Sequence, residues 1–153
     1  MVVQKFEYEL NTSSPAETQS LAEHLAAQMQ PGDILALEGN LAAGKTTFTQ
    51  GFTHYFQIEE YAASPTFTYM NEYHAGGVTI LHIDAYRLKS GAELVGMGFW
   101  EYMESGVIAL IEWADIVSDI LPDDCIRIIF KGGGAHPNDR NISIQSPRAL
   151  TIS

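Results

Sequence analysis

Two glycines, a lysine and a threonine form the group with the clearest chemical capacity in this chain. They lie in the segment Gly39-Asn-Leu-Ala-Ala-Gly44-Lys45-Thr46, which follows the pattern G-x-x-x-x-G-K-[ST]. In this pattern the glycines let the backbone curl, so that successive N–H groups point at phosphate oxygens. The lysine reaches the terminal phosphates of a nucleotide, and the hydroxyl that follows it ligates Mg²⁺. The spacing therefore predicts a loop that binds a triphosphate.

Two carboxylates at the ends of apolar runs are candidates for the metal site and for water activation. The runs are Thr79-Ile-Leu-His-Ile-Asp84 and Val107-Ile-Ala-Leu-Ile-Glu112. In a phosphate-binding domain one such acid can anchor Mg²⁺, directly or through water, while the other orients the attacking water. An acid at the end of a strand can also be a solvated or capping group, and the spacing does not assign the two roles.

The segments on either side of the loop have the patterns of a buried strand and a helix. Residues 33–38 are a short apolar run without clean alternation, which is typical of a strand buried on both faces in a parallel sheet. Residues 45–56 have the pattern of a helix. A buried strand, a glycine turn and a helix in this order are what a phosphate-binding loop requires.

The chain before this unit predicts one strand and one helix. Residues 4–10 alternate apolar and charged side chains, as in a strand with one solvated face. Ser14 can cap the helix that follows, Pro15 suits its first position, and Glu17 has the spacing of a capping box. An apolar stripe at helical spacing continues from there, and Pro31-Gly32 is expected to end the helix.

The remaining chain predicts mainly strands. Residues 66–73 and 78–84 indicate an antiparallel hairpin, because only residues 74–77 link them. Glycines break the next region into short helices, one of them over residues 99–104, and further strands are expected at residues 107–111, 124–130 and 141–145. We therefore predict one P-loop NTPase-like α/β domain over residues 1–153. Its central sheet would be mixed but mostly parallel, flanked by helices, with an antiparallel hairpin and late edge strands.

The composition restricts the partners. The chain has 153 residues and 8 Lys and Arg against 19 Asp and Glu, a formal net charge of −11. Tight nucleic-acid binding normally needs a basic face, so we expect no direct tight binding of RNA or DNA. A protein partner with a basic surface is favoured instead. No apolar run approaches the roughly 18 residues of a membrane-spanning helix, and the N-terminus does not resemble a signal peptide. We therefore expect a cytoplasmic protein with no membrane association.

Two classes of phosphate-binding enzyme are disfavoured because the sequence lacks their characteristic residues. The chain has no N-K-x-D segment to read guanine and no D-x-x-G switch, which disfavours a GTPase. Its four arginines weaken the case for a small-molecule kinase, since nucleotide kinases usually close an arginine-rich lid over the phosphates. The pattern favours a small ATPase that a partner regulates. A small-molecule P-loop kinase and a non-catalytic ATP-sensing adaptor stay open as alternatives.

Beyond the loop, an ordered set of short motifs resembles one known family. The motifs are Ser64-Pro-Thr66-Phe-Thr68, His82-Ile-Asp84-Ala-Tyr86-Arg87-Leu88, Glu93-Leu94, Gly96, Glu101-Tyr102 and Glu112-Trp113. Together with the loop they resemble TsaE, the bacterial P-loop ATPase of tRNA threonylcarbamoyladenosine biosynthesis, over residues 14–141. The resemblance implies a cytoplasmic ATPase that uses ATP and Mg²⁺, hydrolyses slowly and works with the TsaD and TsaB proteins. That complex attaches threonylcarbamoyl to a tRNA adenosine.

The resemblance also implies roles for individual residues. Asp84 would orient or activate the hydrolytic water, Lys45 would hold phosphates, and Thr46 and Glu112 would ligate Mg²⁺. Lys45, Asp84 and Glu112 would form the catalytic set, and Trp113 matches a nucleotide-sensitive tryptophan of the family. The residues expected to bind the nucleotide are Gly39, Asn40, Leu41, Ala42, Ala43, Gly44, Lys45, Thr46, Thr47, Thr12, Thr18, Ser64, Thr66 and Arg140.

Two positions depart from the usual family sequence. Family members usually read G-D-L-G-A-G-K-T, whereas this chain has Asn40 and Ala42. Either change can lower intrinsic ATPase activity, by removing a negative charge or by straining a position that favours glycine, while leaving the phosphate cradle intact.

His82 is expected to be a core histidine, or one that supports a neighbouring ligand, rather than a metal ligand. Cys125 is expected to be inert.

Overall fold

The computed structural model describes residues 5–40, 44–58, 70–132 and 134–152. These residues form strands, α-helices and one 3₁₀-helical segment over Ala114–Ile120. No helix among them has the length and apolarity needed to cross a bilayer. In chain order the strands and α-helices are β1 (Phe6–Thr12), α1 (Pro15–Ala26), β2 (Ile34–Gly39), α2 (Lys45–Tyr55), β3 (Met70–Ala75), β4 (Val78–Asp84), α3 (Gly91–Gly96), α4 (Phe99–Glu104), β5 (Ile108–Glu112), β6 (Ile126–Gly132) and β7 (Arg140–Ser146).

The described strands form one seven-stranded sheet in the order β1-β7-β6-β2-β5-β4-β3. The four central strands, β6-β2-β5-β4, are parallel to one another. On one side β7 and then β1 join antiparallel, and on the other side β3 joins β4 antiparallel. The mixed sheet with an antiparallel hairpin agrees with the prediction. One detail differs, because the late strands β6 and β7 lie inside the sheet and β1 forms the edge beyond β7.

Several element ends differ from the sequence prediction by a few residues. β1 begins and ends two residues later than expected, and α1 ends at Ala26 rather than at Pro31. After Ala26 the chain continues in turns, in which the N–H groups of Gln28 and Met29 donate to carbonyls of the last helical residues. The hairpin link is two residues long, and both are glycines with φ of 55° and 87°, a conformation that favours glycine. The first residues predicted for that hairpin, 66–69, lie outside the described residues.

The start of α1 contains a variant of the predicted capping box. The Ser14 side chain accepts the Glu17 N–H at 3.2 Å, and Pro15 occupies the first turn. In a standard capping box the Glu17 carboxylate would accept the N–H of Ser14. Here it accepts the N–H of the preceding residue, Ser13, at 2.8 Å, and also the Ser13 hydroxyl. These bonds lower the pKa of Glu17.

Two apolar clusters, one on each face of the sheet, hold the helices in place. On one face, α1 and α2 cover the sheet with buried side chains that include Leu25, Phe48 and Phe52. On the other face, α3, α4 and the 3₁₀ segment contribute Leu94, Phe99 and Val117. Alternate residues of β2 enter the two clusters, so this strand is buried on both faces as its sequence predicts. The loop that leaves β2 therefore starts from a rigid base.

α2 lies very close to α1 at one point. Gly51 of α2 faces the backbone of Gln19 in α1, and a Cβ built on this glycine would lie 2.5 Å from the Gln19 carbonyl oxygen. Only a residue without a side chain fits at that separation. The contact fixes the position of α2, whose first residues carry the Lys-Thr pair of the predicted loop.

Candidate functional site

The carboxyl ends of three neighbouring parallel strands bring the predicted site residues together. β2 ends at Gly39, β4 ends at Asp84 and β5 ends at Glu112. Asp84 and Glu112 are partners in the register of β4 and β5, and Leu37 of β2 is the partner of Glu112 on its other side. In open α/β sheets this edge is where ligands bind. α2 begins at the same edge, immediately after Gly44, whose φ of 107° favours glycine.

The Lys45 side chain folds back toward the end of β2 rather than extending into solvent. The residue is only 5% exposed. Its ammonium donates to the carbonyl oxygens of Gly39 at 2.6 Å and Asn40 at 3.0 Å, and lies 3.9 Å from the centroid of a Trp113 ring. This is the geometry of a cation–π contact. Burial lowers the pKa of Lys45, and nearby carboxylates partly offset this effect: Glu112, Asp115 and Asp84.

The two residues predicted to hold Mg²⁺ are in contact. The hydroxyl of Thr46, in the first turn of α2, donates to Oε1 of Glu112 at 3.3 Å. Glu112 is 2% exposed, and its other oxygen, Oε2, accepts a hydrogen bond from Nε2 of His82 at 2.7 Å. One hydroxyl and one carboxylate fit Mg²⁺, which prefers hard oxygen ligands and takes its remaining ligands from phosphate and water. His82 itself is fully buried, as expected for a core histidine. Its hydrogen-bond partner is Glu112, the predicted metal ligand.

Asp84 lies at the same edge beside Glu112. One of its carboxylate oxygens accepts the N–H of Tyr86 at 3.0 Å, which holds the start of the following turn. The Tyr86 ring lies 4.9 Å from the ring of Trp113, and Trp113 has a φ of 59°, in the left-handed region. The reversal of the chain at Trp113 places its indole next to Lys45. The Asp84 carboxylate, the Lys45 ammonium and the two aromatic rings therefore lie near the start of α2.

A second group of predicted nucleotide-binding residues lies on the other side of Gly44. The hydroxyls of Thr12 and Thr18 are 2.8 Å apart and buried, so they join the end of β1 to α1. Thr18, Gly44, Thr47 and Arg140 line one small cavity together with Pro15 and Asn138. Thr12 and Arg140 line the neighbouring cavity. The predicted residues thus form a continuous path from the start of α2 to the start of α1.

Five predicted residues lie outside the described residues: Leu41, Ala42, Ala43, Ser64 and Thr66. The strain expected at Ala42 and the nucleotide contacts expected for Ser64 and Thr66 stay predictions. Two further residues near the site have no signal in the sequence. Asn138 lines the cavity beside Arg140, but it lies in a polar, glycine-rich turn that gives no periodic signal. Asp115 lies in the 3₁₀ segment, and its negative charge raises the pKa of Lys45. That segment was not predicted, because a short 3₁₀ stretch leaves no clear periodic pattern in the sequence.

A model of one protein family matches residues 12–142, and its description is threonylcarbamoyl adenosine biosynthesis protein TsaE. The chain belongs to the TsaE family. This confirms the family resemblance of its motifs. It is also 41% identical over 123 residues to the tRNA threonylcarbamoyladenosine biosynthesis protein TsaE of Bacillus subtilis, covering 80% of this chain and 77% of that protein. The TsaE protein of Rickettsia bellii is 38% identical over 120 residues, covering 78% of this chain and 83% of that protein.

The fold agrees with a solved structure as well. The crystal structure of YdiB from Bacillus subtilis superposes with a TM-score of 0.80 at 33% identity. The alignment covers 95% of this chain and 88% of that one. The TsaE match and the YdiB superposition together support the predicted P-loop NTPase-like architecture over nearly the whole chain.

Proposed function

We propose that this chain binds Mg-ATP at the edge formed by β2, β4, β5 and α2, and hydrolyses it slowly. TsaE family membership assigns the chain to tRNA threonylcarbamoyladenosine biosynthesis. The proposal goes further in two respects: the chemistry is ATP hydrolysis, and its purpose is to drive or reset a TsaB/TsaD complex that modifies the tRNA. The protein would act in the cytoplasm.

The observation that carries the proposal is the contact between Thr46 and Glu112, beside a buried lysine. A hydroxyl and a carboxylate joined at 3.3 Å provide two oxygen ligands for one cation. Lys45 lies next to them, close enough to three carboxylates for each to act on its pKa. A cation site beside a lysine at a helix N-terminus is the arrangement that phosphoryl-transfer proteins use on nucleotide phosphates. A glycine turn with a surface lysine would have none of these contacts.

In the proposed mechanism each residue has a distinct task. The N–H groups at the start of α2 and the Lys45 ammonium bind phosphate oxygens, for which Lys45 exchanges its bonds to the loop carbonyls. Thr46 and Glu112 would hold Mg²⁺, which would neutralise charge on the phosphates. Asp84 accepts a hydrogen bond from the attacking water and orients it toward the terminal phosphorus. Thr18, Thr47 and Arg140 line the path for the rest of the nucleotide.

The charge of the chain supports a protein partner. With a net charge of −11, its surface repels the tRNA backbone and attracts a basic protein surface. We therefore propose that contact with the modification machinery runs through TsaB and TsaD rather than through direct tight tRNA binding. We further propose that one of these partners regulates the hydrolysis.

The first test measures nucleotide binding by calorimetry, with Mg²⁺ and with EDTA, in the wild type and three variants. Lys45→Ala should weaken ATP binding by on the order of tenfold or more, because it removes the buried cation. Glu112→Gln should weaken binding only when Mg²⁺ is present. Asp84→Asn should leave binding nearly unchanged. Lys131→Ala and Glu104→Gln are matched controls, since both side chains are exposed, and they should behave as wild type.

The second test measures ATP turnover, alone and with purified TsaB and TsaD. Asp84→Asn should lose turnover by on the order of 10²-fold or more while it still binds nucleotide. Phosphate transfer to an added small molecule would instead indicate a kinase. Nucleotide binding without turnover, even with both partners present, would indicate an adaptor. The absence of Mg²⁺-dependent binding in the wild type would refute the proposal.

A further inference from the structure

His82 is the one residue among those described that is fully buried, polar and in contact with the proposed metal ligand Glu112. It lies in β4 within the run Ile80-Leu-His-Ile83, and its exposure is 0%. Its Nε2 lies 2.7 Å from Oε2 of Glu112. Because a carboxylate at this distance accepts the hydrogen bond, Nε2 carries the hydrogen and Nδ1 is an acceptor in the neutral ring. The ring therefore presents one donor, and that donor is directed at Glu112.

The strand register explains how a core residue reaches the site. In the parallel ladder of β4 and β5, Asp84 is the partner of Glu112 and His82 is the partner of Leu110. Since alternate residues of a strand share a face, His82 lies one step behind Asp84 on the same face of the sheet. The imidazole reaches forward and across to Glu112, from the side of the core. It contacts the carboxylate from behind, while Thr46 contacts it from α2.

A packing role alone does not account for a histidine at this position. Nδ1 of His82 is buried and has no hydrogen-bond partner within the described part of the chain. A buried polar atom without a partner costs free energy that leucine or methionine would not cost. Its neighbours in β4, Ile80, Leu81 and Ile83, are all apolar. What a histidine adds here is the donor on Nε2, and the sole described acceptor of that donor is Glu112.

We infer that His82 is a positioning residue for Mg²⁺ binding, an inference that rests on the proposed function. Its hydrogen bond holds Oε2 of Glu112 and so fixes the rotation of the carboxylate, which leaves Oε1 turned toward the Thr46 hydroxyl. Groups that orient a metal ligand in this way commonly change metal affinity or activity by about 10–100-fold when they are removed. His82 touches neither nucleotide nor metal in this scheme. It acts only through Glu112.

The test compares two replacements of His82 with a matched control elsewhere. His82→Met keeps an apolar side chain of similar length without a donor, whereas His82→Gln can still offer an amide N–H to Glu112. The control is His54→Met, because His54 also pairs with a carboxylate, that of Glu23 at 2.6 Å, but on the exposed surface. For each variant, calorimetry gives the ADP affinity in EDTA and then the ADP affinity at increasing Mg²⁺ concentrations. The Mg²⁺ concentration at which half of the increase in ADP affinity is reached is the half-saturating concentration.

The expected result separates metal positioning from general damage. His82→Met should raise the half-saturating Mg²⁺ concentration by about tenfold and leave the affinity in EDTA unchanged. His82→Gln should recover most of that loss, and His54→Met should match wild type. In a Glu112→Gln background, His82→Met should add no further change, because the two residues act as one unit. Where His82→Met is poorly folded, His82→Leu, which also lacks a donor, takes its place in both backgrounds.

Two results would overturn the inference while leaving the proposed function intact. One is a folded His82→Met protein with the Mg²⁺ requirement of wild type. The other is an equal loss of ADP affinity with and without Mg²⁺, which would make His82 merely structural. Far-UV circular dichroism and the thermal midpoint check the fold in each case. If wild type itself shows no Mg²⁺-dependent binding of adenine nucleotide, the proposed function fails first and the inference fails with it.

Discussion

The close contact between α1 and α2 gives a test of the packing that positions the loop. Gly51→Ala adds one methyl group at the point where the helices meet. That methyl would lie 2.5 Å from the carbonyl oxygen of Gln19, 2.7 Å from its Cα and 3.0 Å from its carbonyl carbon. All three atoms belong to the backbone, so no side-chain rotation relieves the clash. The two helices must separate instead.

The size of the effect follows from two opposing terms. Ordinary contact begins near 3.4 Å, so α1 and α2 must move apart by about 1 Å in a core packed to crystal-like density. Overpacking of this kind costs roughly 1–3 kcal/mol. Alanine in place of glycine inside a helix returns up to about 1 kcal/mol. Because the clash is with backbone atoms, the overpacking cost lies in the upper part of that range, about 2–3 kcal/mol. The net expectation is a loss of about 1–2 kcal/mol of unfolding free energy, which lowers the melting temperature by roughly 3–6 °C in a chain of this size.

Urea and thermal denaturation of Gly51→Ala and Gly96→Ala provide the measurement and its control. Gly96 is exposed at the end of α3, and a Cβ there would meet no atom within 4 Å. Gly96→Ala should therefore stay within about 0.5 kcal/mol of wild type or be slightly more stable. If Gly51→Ala were as stable as Gly96→Ala, helix propensity would dominate at both sites. The close helix contact would then not constrain α2.

Three further outcomes follow from single contacts. Ser14→Ala removes the acceptor of the Glu17 N–H at the start of α1 and should lower the unfolding free energy by about 1 kcal/mol in urea denaturation; no change would mean that water replaces the cap at no cost. Glu17 has its pKa lowered below 4.5 by bonds from Ser13, so its contribution to stability is complete above that pH and is lost as the pH falls through the lower, folded-state value. The stability gap between wild type and Glu17→Gln should therefore be present at pH 7 and shrink in acid, and a gap independent of pH would contradict this assignment. Burial raises the pKa of the Cys125 thiol, so at pH 8 the folded protein should react with iodoacetamide on the order of tenfold more slowly than the protein in urea, whereas equal rates would show that the thiol is accessible.

The strand and the helix on either side of the predicted phosphate-binding loop are the part of the fold that the sequence predicts best. Its constraints are local, because a buried strand, a glycine turn and a helix must follow one another directly. The structure ends β2 at Gly39 and begins α2 at Lys45, as the spacing requires. The two acids at strand ends are also predictable, since parallel strands bring their carboxyl ends to one edge. The register then pairs Asp84 with Glu112.

The order of the strands is much harder to predict. Alternation identifies β1 as a strand with one wet face, but strands pair through space and not along the chain. Its place outside β7, the last strand in sequence, depends on the packing of residues that are far apart in the chain. The same limit applies to the contact between His82 and Glu112. An apolar run shows that His82 is buried, but only the register shows which group its ring faces.

The local backbone conformation is only partly predictable from the sequence. The sequence identifies Ser14 and Glu17 as a capping pair, yet the carboxylate bonds to Ser13 rather than to Ser14. Either donor is within reach of a glutamate side chain, so the residue types alone do not decide between them. Trp113 is a similar case. A left-handed φ of 59° at a tryptophan has no sequence signal, although it places the indole against Lys45.

The open sheet has a consequence for how the protein behaves in concentrated solution. Within the described residues β1 is the outermost strand on one side, and an exposed sheet edge is a template for aggregation. This strand carries two exposed carboxylates, those of Glu7 and Glu9. Mutual repulsion between such carboxylates keeps two molecules from joining edge to edge. Since the isoelectric point is about 4.6, the net negative charge that favours this repulsion vanishes only as the pH falls to that value, and neutral or alkaline buffers preserve it.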